Sequence, residues 1–145
     1  MKQLLNSQEE TEQIGAKLYQ QLPKKYTVFL YGNLGAGKTT LVRGFLRAAG
    51  HQGAVKSPTY TVVEEYDING QKIFHFDLYR LNDPEELEWI GIRDYFEQDA
   101  ICFIEWPDMG KGFLPVADMT IELTMKQKAR EISIVSEGHQ LNTGH

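Results

Sequence analysis

The stretch Gly32-Asn33-Leu34-Gly35-Ala36-Gly37-Lys38-Thr39 restricts this chain more than any other part of its sequence. Before it stands Tyr26 to Tyr31 (YTVFLY), a run rich in β-branched and aromatic residues that reads as a buried strand. After it, Leu41, Val42, Phe45, Leu46 and Ala49 supply the apolar side of a helix, and Gly50 stands where such a helix is capped. A strand, then G-x-x-x-x-G-K-[ST], then a helix is the arrangement of a phosphate-binding loop, or P-loop. The backbone must wrap an anion with its N–H groups pointing inward, and Gly32, Gly35 and Gly37 permit the required φ angles and close approaches. The helix adds N-terminal amides and partial positive charge. Lys38 is placed to put a point charge on β- and γ-phosphates, and the Thr39 hydroxyl to reach Mg²⁺. Gly32 through Thr40 is therefore the expected cradle for ATP with Mg²⁺. A glycine-rich turn that merely precedes a helix would not require the strand before it.

The rest of the chain supplies a domain around this loop. Ser7-Gln8-Glu9-Glu10 reads as a capping box. Thr11, Ile14, Gly15, Leu18 and Leu22 then share one helical face, and Pro23 helps to end the helix. Gly53 to Tyr60 reads as a loop and Thr61 to Tyr66 as a strand. Asn69-Gly70 is a two-residue hairpin turn, with Ile73 to Tyr79 as the returning strand. Asp83-Pro84-Glu85-Glu86 opens a helix broken at Gly91, and Ile92 to Phe96 forms a second short one. Ala100 to Ile104 (AICFI) is a buried strand, Pro107 to Pro115 a loop, and Ala117 to Thr124 and Ala129 to Ser136 two final strands. The expected architecture is α/β: a three-layer P-loop NTPase fold with a mixed parallel/antiparallel sheet. Residues 1–137 are expected to form one domain and residues 138–145 a disordered tail.

Completing a P-loop site takes a second partner for the metal, at the end of a neighbouring strand. Glu105 follows the AICFI run, at a carboxyl end where open α/β sheets bind ligands. Asp77 lies in His75-Phe76-Asp77-Leu78-Tyr79-Arg80 on the hairpin strand. Either acid has a plainer reading as a solvated or ion-paired strand end. Ser57-Pro58-Thr59-Tyr60-Thr61 sits where nucleotide switch proteins carry a threonine that senses γ-phosphate and Mg²⁺, which makes Thr59 a candidate. The alternative for Thr59 is a proline turn with local hydroxyl hydrogen bonds. Arg80 could stabilise charge during hydrolysis or form a surface salt bridge. His75 reads as packing beside its strand. Trp106 could cover the site, meet a partner or pack in the core.

Composition narrows the function classes. At 145 residues the chain is long enough for one core without staples. A net charge of −5 disfavours independent nucleic-acid binding. Cys102 is the lone cysteine and lies in an apolar run, as expected of a buried thiol in a reducing compartment. No apolar stretch is long enough to span a bilayer, and Met1 to Glu12 is unlike a targeting peptide, so a cytoplasmic location is expected. An N-K-x-D guanine element is absent. Few arginines are available for the lid of a small-molecule kinase, which leaves that class open but unsupported.

Several blocks together resemble the bacterial TsaE family: GNLGAGKTT (Gly32 to Thr40), VKSPTYT (Val55 to Thr61), HFDLYRL (His75 to Leu81), DPEELE (Asp83 to Glu88), GIRDYF (Gly91 to Phe96) and IEWP (Ile104 to Pro107). The resemblance runs in matching order through nearly the whole chain and is weakest from Met125 to His145. It implies an ATPase needed to make threonylcarbamoyladenosine beside the anticodon of tRNA. That ATPase would work with a TsaB–TsaD pair, in which TsaD carries the transfer chemistry, and would meet tRNA only through that complex. The resemblance also implies that Lys38 and Thr39 hold phosphate and Mg²⁺ and that Glu105 is the second Mg²⁺ residue. Asp77 and Thr59 would support metal, water or γ-phosphate, with Thr11 and Arg130 near the adenine. A slow ATPase stimulated by partners is the expectation. A small-molecule kinase and a nucleotide-gated binding module remain as alternatives.

Overall fold

The computed structural model describes residues 1–58 and 61–136. Along the chain these form β1 (Lys2–Leu5), α1 (Gln8–Gln21), β2 (Tyr26–Tyr31), α2 (Lys38–Ala49), β3 (Val63–Ile68), β4 (Gln71–Asp77), α3 (Glu86–Trp89), α4 (Ile92–Glu97), β5 (Ala100–Glu105), a 3₁₀ turn (Pro107–Gly110), β6 (Met119–Lys126) and β7 (Ala129–Ser136). The strands make one sheet in the order β1-β7-β6-β2-β5-β4-β3. β2 pairs in parallel with both β5 and β6, and β5 pairs in parallel with β4. The β3–β4, β6–β7 and β1–β7 pairs are antiparallel. The expected mixed sheet is therefore present.

The period of two in each strand decides which side chains meet which helices. Val28 and Leu30 of β2, Ile101 and Phe103 of β5, and Ile121 and Leu123 of β6 point to one face. There they pack with Ile14 and Leu18 of α1 and with Leu41, Val42, Phe45 and Leu46 of α2. The opposite residues, Phe74 and Phe76 of β4 with Cys102 and Ile104 of β5, pack with Leu87 of α3 and Ile92 of α4. Helices thus lie on both sides of the sheet, giving the three expected layers. Burial pushes the Cys102 thiol up to about 12.

Element ends differ from the sequence reading for local reasons. β1 was not expected, because its burial does not alternate and only Leu5 is buried. It exists because it adds antiparallel to β7, with Leu5 opposite Arg130. β3 begins two residues late, since Val62 takes φ 69° and its N–H donates to the Pro58 carbonyl. α3 spans only Glu86–Trp89. The Glu86 carboxylate accepts from the N–H groups of Asn82 and Asp83, which holds the preceding residues as a turn. The Ser7 cap forms, accepting from the Glu10 N–H, while Glu10 reaches back to the N–H of Asn6. The tail from 138 lies outside the described residues.

α1 and α2 cross at two glycines. A Cβ on Gly15 would lie 2.2 Å from the Leu41 carbonyl oxygen, and one on Gly44 would lie 2.1 Å from that of Glu12. Glycine inside a helix costs about 1 kcal/mol relative to alanine, and here it permits contact between backbones. Gly44→Ala is accordingly expected to destabilise the protein by about 3 kcal/mol despite its better helix propensity. A urea midpoint equal to that of the wild type would show that the helices can part freely.

Candidate functional site

The parallel pairing brings the carboxyl ends of β2, β4 and β5 to one edge of the sheet. Asp77 closes β4 and Glu105 closes β5, and the two are register partners. Leu30, two residues before Gly32, is opposite Glu105 on the other side. Two acids separated by 27 intervening residues thus stand next to the loop that leaves β2. The loop delivers the chain into α2 through Gly37, which has φ 108°. A side chain there would be strained, and its Cβ would meet Arg130 Cδ at 3.4 Å.

Lys38 is buried. Its ammonium donates to the Gly32 carbonyl at 2.6 Å, lies 3.4 Å from Glu105 Oε1, and sits 4.6 Å from the centre of the Trp106 ring. The other Glu105 oxygen, Oε2, contacts Nε2 of His75 at 2.5 Å. Burial alone would raise the Glu105 pKa, but the His75 hydrogen bond and the attraction of His75 and Lys38 outweigh it and hold the carboxyl below its ordinary value. Asp77 moves the other way. Burial raises it, and the Tyr79 N–H, which donates to Oδ1 at 3.0 Å, offsets only part of that effect.

An open pocket of about 320 Å³ lies over this edge and is lined by Lys38, Thr39, Thr40, Asp77, Glu105 and Arg130, among others. A larger one of about 430 Å³ lies beyond Gly32 and Asn33, against Trp106, Glu122 and Met125. It lacks Lys38, Thr39 and the start of α2, so the smaller pocket is the one equipped for an anion.

The other candidates from the sequence are distributed around this pocket. Gly35 and Leu34 form its exposed rim, and Ala36 is buried under the loop. Arg130 reaches over from β7 and donates to the Gly35 carbonyl at 3.1 Å. Thr11 is buried behind Gly37, its hydroxyl 3.4 Å from the Ser7 carbonyl. Thr59 lies outside the described residues. Arg80 is exposed. Gln8 and Ser57 also line the pocket and were not singled out in the sequence. His75 packs as expected, fully buried, but it also touches Glu105. The alternation His75-x-Asp77 puts both on one face, and that was the available signal for a polar role.

The residues present fit a nucleotide polyphosphate and a magnesium ion. At Gly35 nothing stands within 4 Å of where a Cβ would be, which leaves the backbone open to close approach. Among the described residues, no group of three or more His, Cys, Asp or Glu side chains is assembled as a metal site. A metal here would therefore share protein oxygens with phosphate and water, as Mg²⁺ commonly does.

A central parallel strand, a glycine loop and a helix N-terminus, with a buried lysine facing strand-end acids, define an α/β protein of the P-loop class. The family model described as threonylcarbamoyl adenosine biosynthesis protein TsaE matches residues 5–132. A tRNA threonylcarbamoyladenosine biosynthesis protein TsaE of Haemophilus influenzae is 59% identical over 114 residues, covering 79% of this chain and 72% of that protein. The protein of the same name from Bacillus subtilis is 36% identical over 91% of this chain and 83% of its own. The crystal structure of Bacillus subtilis YdiB superposes with a TM-score of 0.81 at 27% identity, covering 95% of this chain and 86% of that one. The chain belongs to the TsaE family.

The two acids are expected to affect stability in opposite directions. Glu105, with its folded pKa lowered, contributes stability above its unfolded pKa, and this is lost as pH falls through the folded value. Asp77, with its folded pKa raised, favours the folded state below its unfolded pKa and opposes it increasingly as pH rises to the folded value. At pH 7, Glu105→Gln should lower stability by about 3 kcal/mol, because it leaves a buried lysine without its counter-charge. Asp77→Asn should raise stability under the same conditions. Denaturant titration of both variants reads the signs, and equal signs would contradict this electrostatic assignment.

Proposed function

We propose that this chain is the ATP-binding and ATP-hydrolysing component of tRNA threonylcarbamoyladenosine biosynthesis, working with TsaB and TsaD and not itself transferring the threonylcarbamoyl group. The observation that carries the reading is the pocket in which Lys38, Thr39, Asp77 and Glu105 converge at the start of α2, in a chain of the TsaE family.

In this reading the amides of Asn33 to Thr40 hold the phosphates, and Lys38 leaves the Gly32 carbonyl to place its charge on the β- and γ-oxygens. Thr39 would hold Mg²⁺ together with Glu105 or Asp77. When bound, Mg²⁺ would offset charge developing on the phosphate oxygens. The acids also orient a water for in-line attack on the γ-phosphate, so that the protein contributes position and electrostatics rather than covalent chemistry. Thr59 is the proposed γ-phosphate sensor, and Arg130 and Thr11 support the nucleotide on the β7 and α1 side. No described helix is long and apolar enough to cross a membrane, and a cytoplasmic location is proposed. tRNA is met through the TsaB–TsaD complex, in keeping with a net charge of −5.

The purified chain with Mg²⁺ is expected to hydrolyse ATP slowly and to be clearly stimulated by TsaB, TsaD and tRNA together. Strong turnover alone, or ADP release that depends on a small-molecule acceptor and yields a phosphorylated product, would favour a kinase instead. Sustained tRNA modification by a variant that binds ATP but does not cleave it would favour a nucleotide-gated module.

Lys38→Ala should abolish nucleotide binding or turnover while the circular dichroism spectrum stays that of the folded protein. Normal hydrolysis by Lys38→Ala would overturn the assignment of the loop.

A further inference from the structure

The Lys38–Glu105–His75 chain has an asymmetry that the proposed mechanism leaves unused. Glu105 has two oxygens and each has a different neighbour: Oε1 faces Lys38 at 3.4 Å, and Oε2 faces His75 Nε2 at 2.5 Å. Lys38 can leave, because its natural partner is a phosphate. His75 cannot, because it lies on β4 with no exposed surface, between Phe74 and Phe76. Its backbone is also held by register, since His75 is opposite Phe103 and Asp77 is opposite Glu105. The other ring nitrogen, Nδ1, is buried without a hydrogen-bond partner. A carboxylate oxygen only accepts, so in this contact Nε2 donates its hydrogen to Glu105 Oε2.

We infer that His75 is a positioning residue. By occupying Oε2 it fixes the plane of the Glu105 carboxylate, so that Oε1 is the oxygen presented to the pocket once nucleotide draws Lys38 away. Nucleotide binding and exposure of the metal-facing oxygen are then one event. Before nucleotide arrives, Oε1 is covered by the lysine. Afterwards it is free and already aimed. A glutamate held only by Lys38 would lose its orientation at the moment it is needed. This inference deepens the proposed function and rests on it.

The test uses substitutions that separate donor position from ring shape. Gln can place its amide nitrogen near the site of Nε2, whereas Asn reaches only the position of Nδ1. The full chain is titrated with a fluorescent ADP analogue, first in EDTA and then across a Mg²⁺ series, and kcat and KM for ATP are measured on the same samples. His75→Asn is expected to bind the analogue in EDTA within about two-fold of wild type. It should need about ten-fold more Mg²⁺ for the metal-dependent tightening, and its kcat should fall at least ten-fold at similar KM. His75→Gln is expected to restore most of both. If His75→Asn keeps the wild-type Mg²⁺ dependence and kcat, the inference is wrong. It is equally wrong if His75→Gln loses as much as His75→Asn, because ring shape rather than the donated hydrogen would then matter. Failure of the wild-type chain to bind or cleave ATP would instead overturn the proposed function.

Discussion

Parallel pairing of β2 with β5, and of β5 with β4, is the constraint on which the site depends. A strand of six residues is about 20 Å long, so reversing β5 would carry Glu105 to the far edge of the sheet. In parallel register the loop after β2 and the last residues of β4 and β5 reach one edge together. The apolar runs that form these strands are therefore also what aims Asp77 and Glu105. Burial of Val28, Leu30, Ile101 and Phe103 under α1 and α2 keeps that register from slipping, because a shift by one residue would turn each apolar side chain to the wrong face.

A buried ion pair at this edge is costly to form and is weak evidence for stability as such. Both charges of the pair have several neighbours here. Lys38 has a carbonyl, a carboxylate and an aromatic face, and Glu105 has a cation on one side and a ring N–H on the other. Lys38 and Glu105 are thus each paired within the protein. A ligand must offer the lysine something better than a carboxylate, and a polyphosphate carries the charge to do so. Burial pushes the carboxyl of the nearby Asp77 up from its ordinary value, opposite to Glu105.

Much of this was legible in the sequence because it is local. The P-loop, the Asn69-Gly70 hairpin and the acid after AICFI each follow from a few adjacent residues, and the structure places all three as expected. What the sequence hid was relational. β1 exists only because β7 offers an edge to it, and no alternation marks it. The His75–Glu105 contact needs the register of two strands separated by a helical segment. Gly15 and Gly44 look like poor helix residues until the two helices are seen crossing there. Arg130 lies in a region of weak pattern, and only the β6–β7 hairpin carries it back over the Gly35 carbonyl.

The burial of Cys102 has a practical consequence. A buried thiol whose pKa is pushed up to about 12 is rarely ionised at neutral pH, and the thiolate is the reactive form. The native cysteine is therefore nearly silent toward maleimides and iodoacetamides while the fold is intact. One cysteine added at an exposed position would take a dye or spin label by itself. The label would then report from the surface without any change to the core.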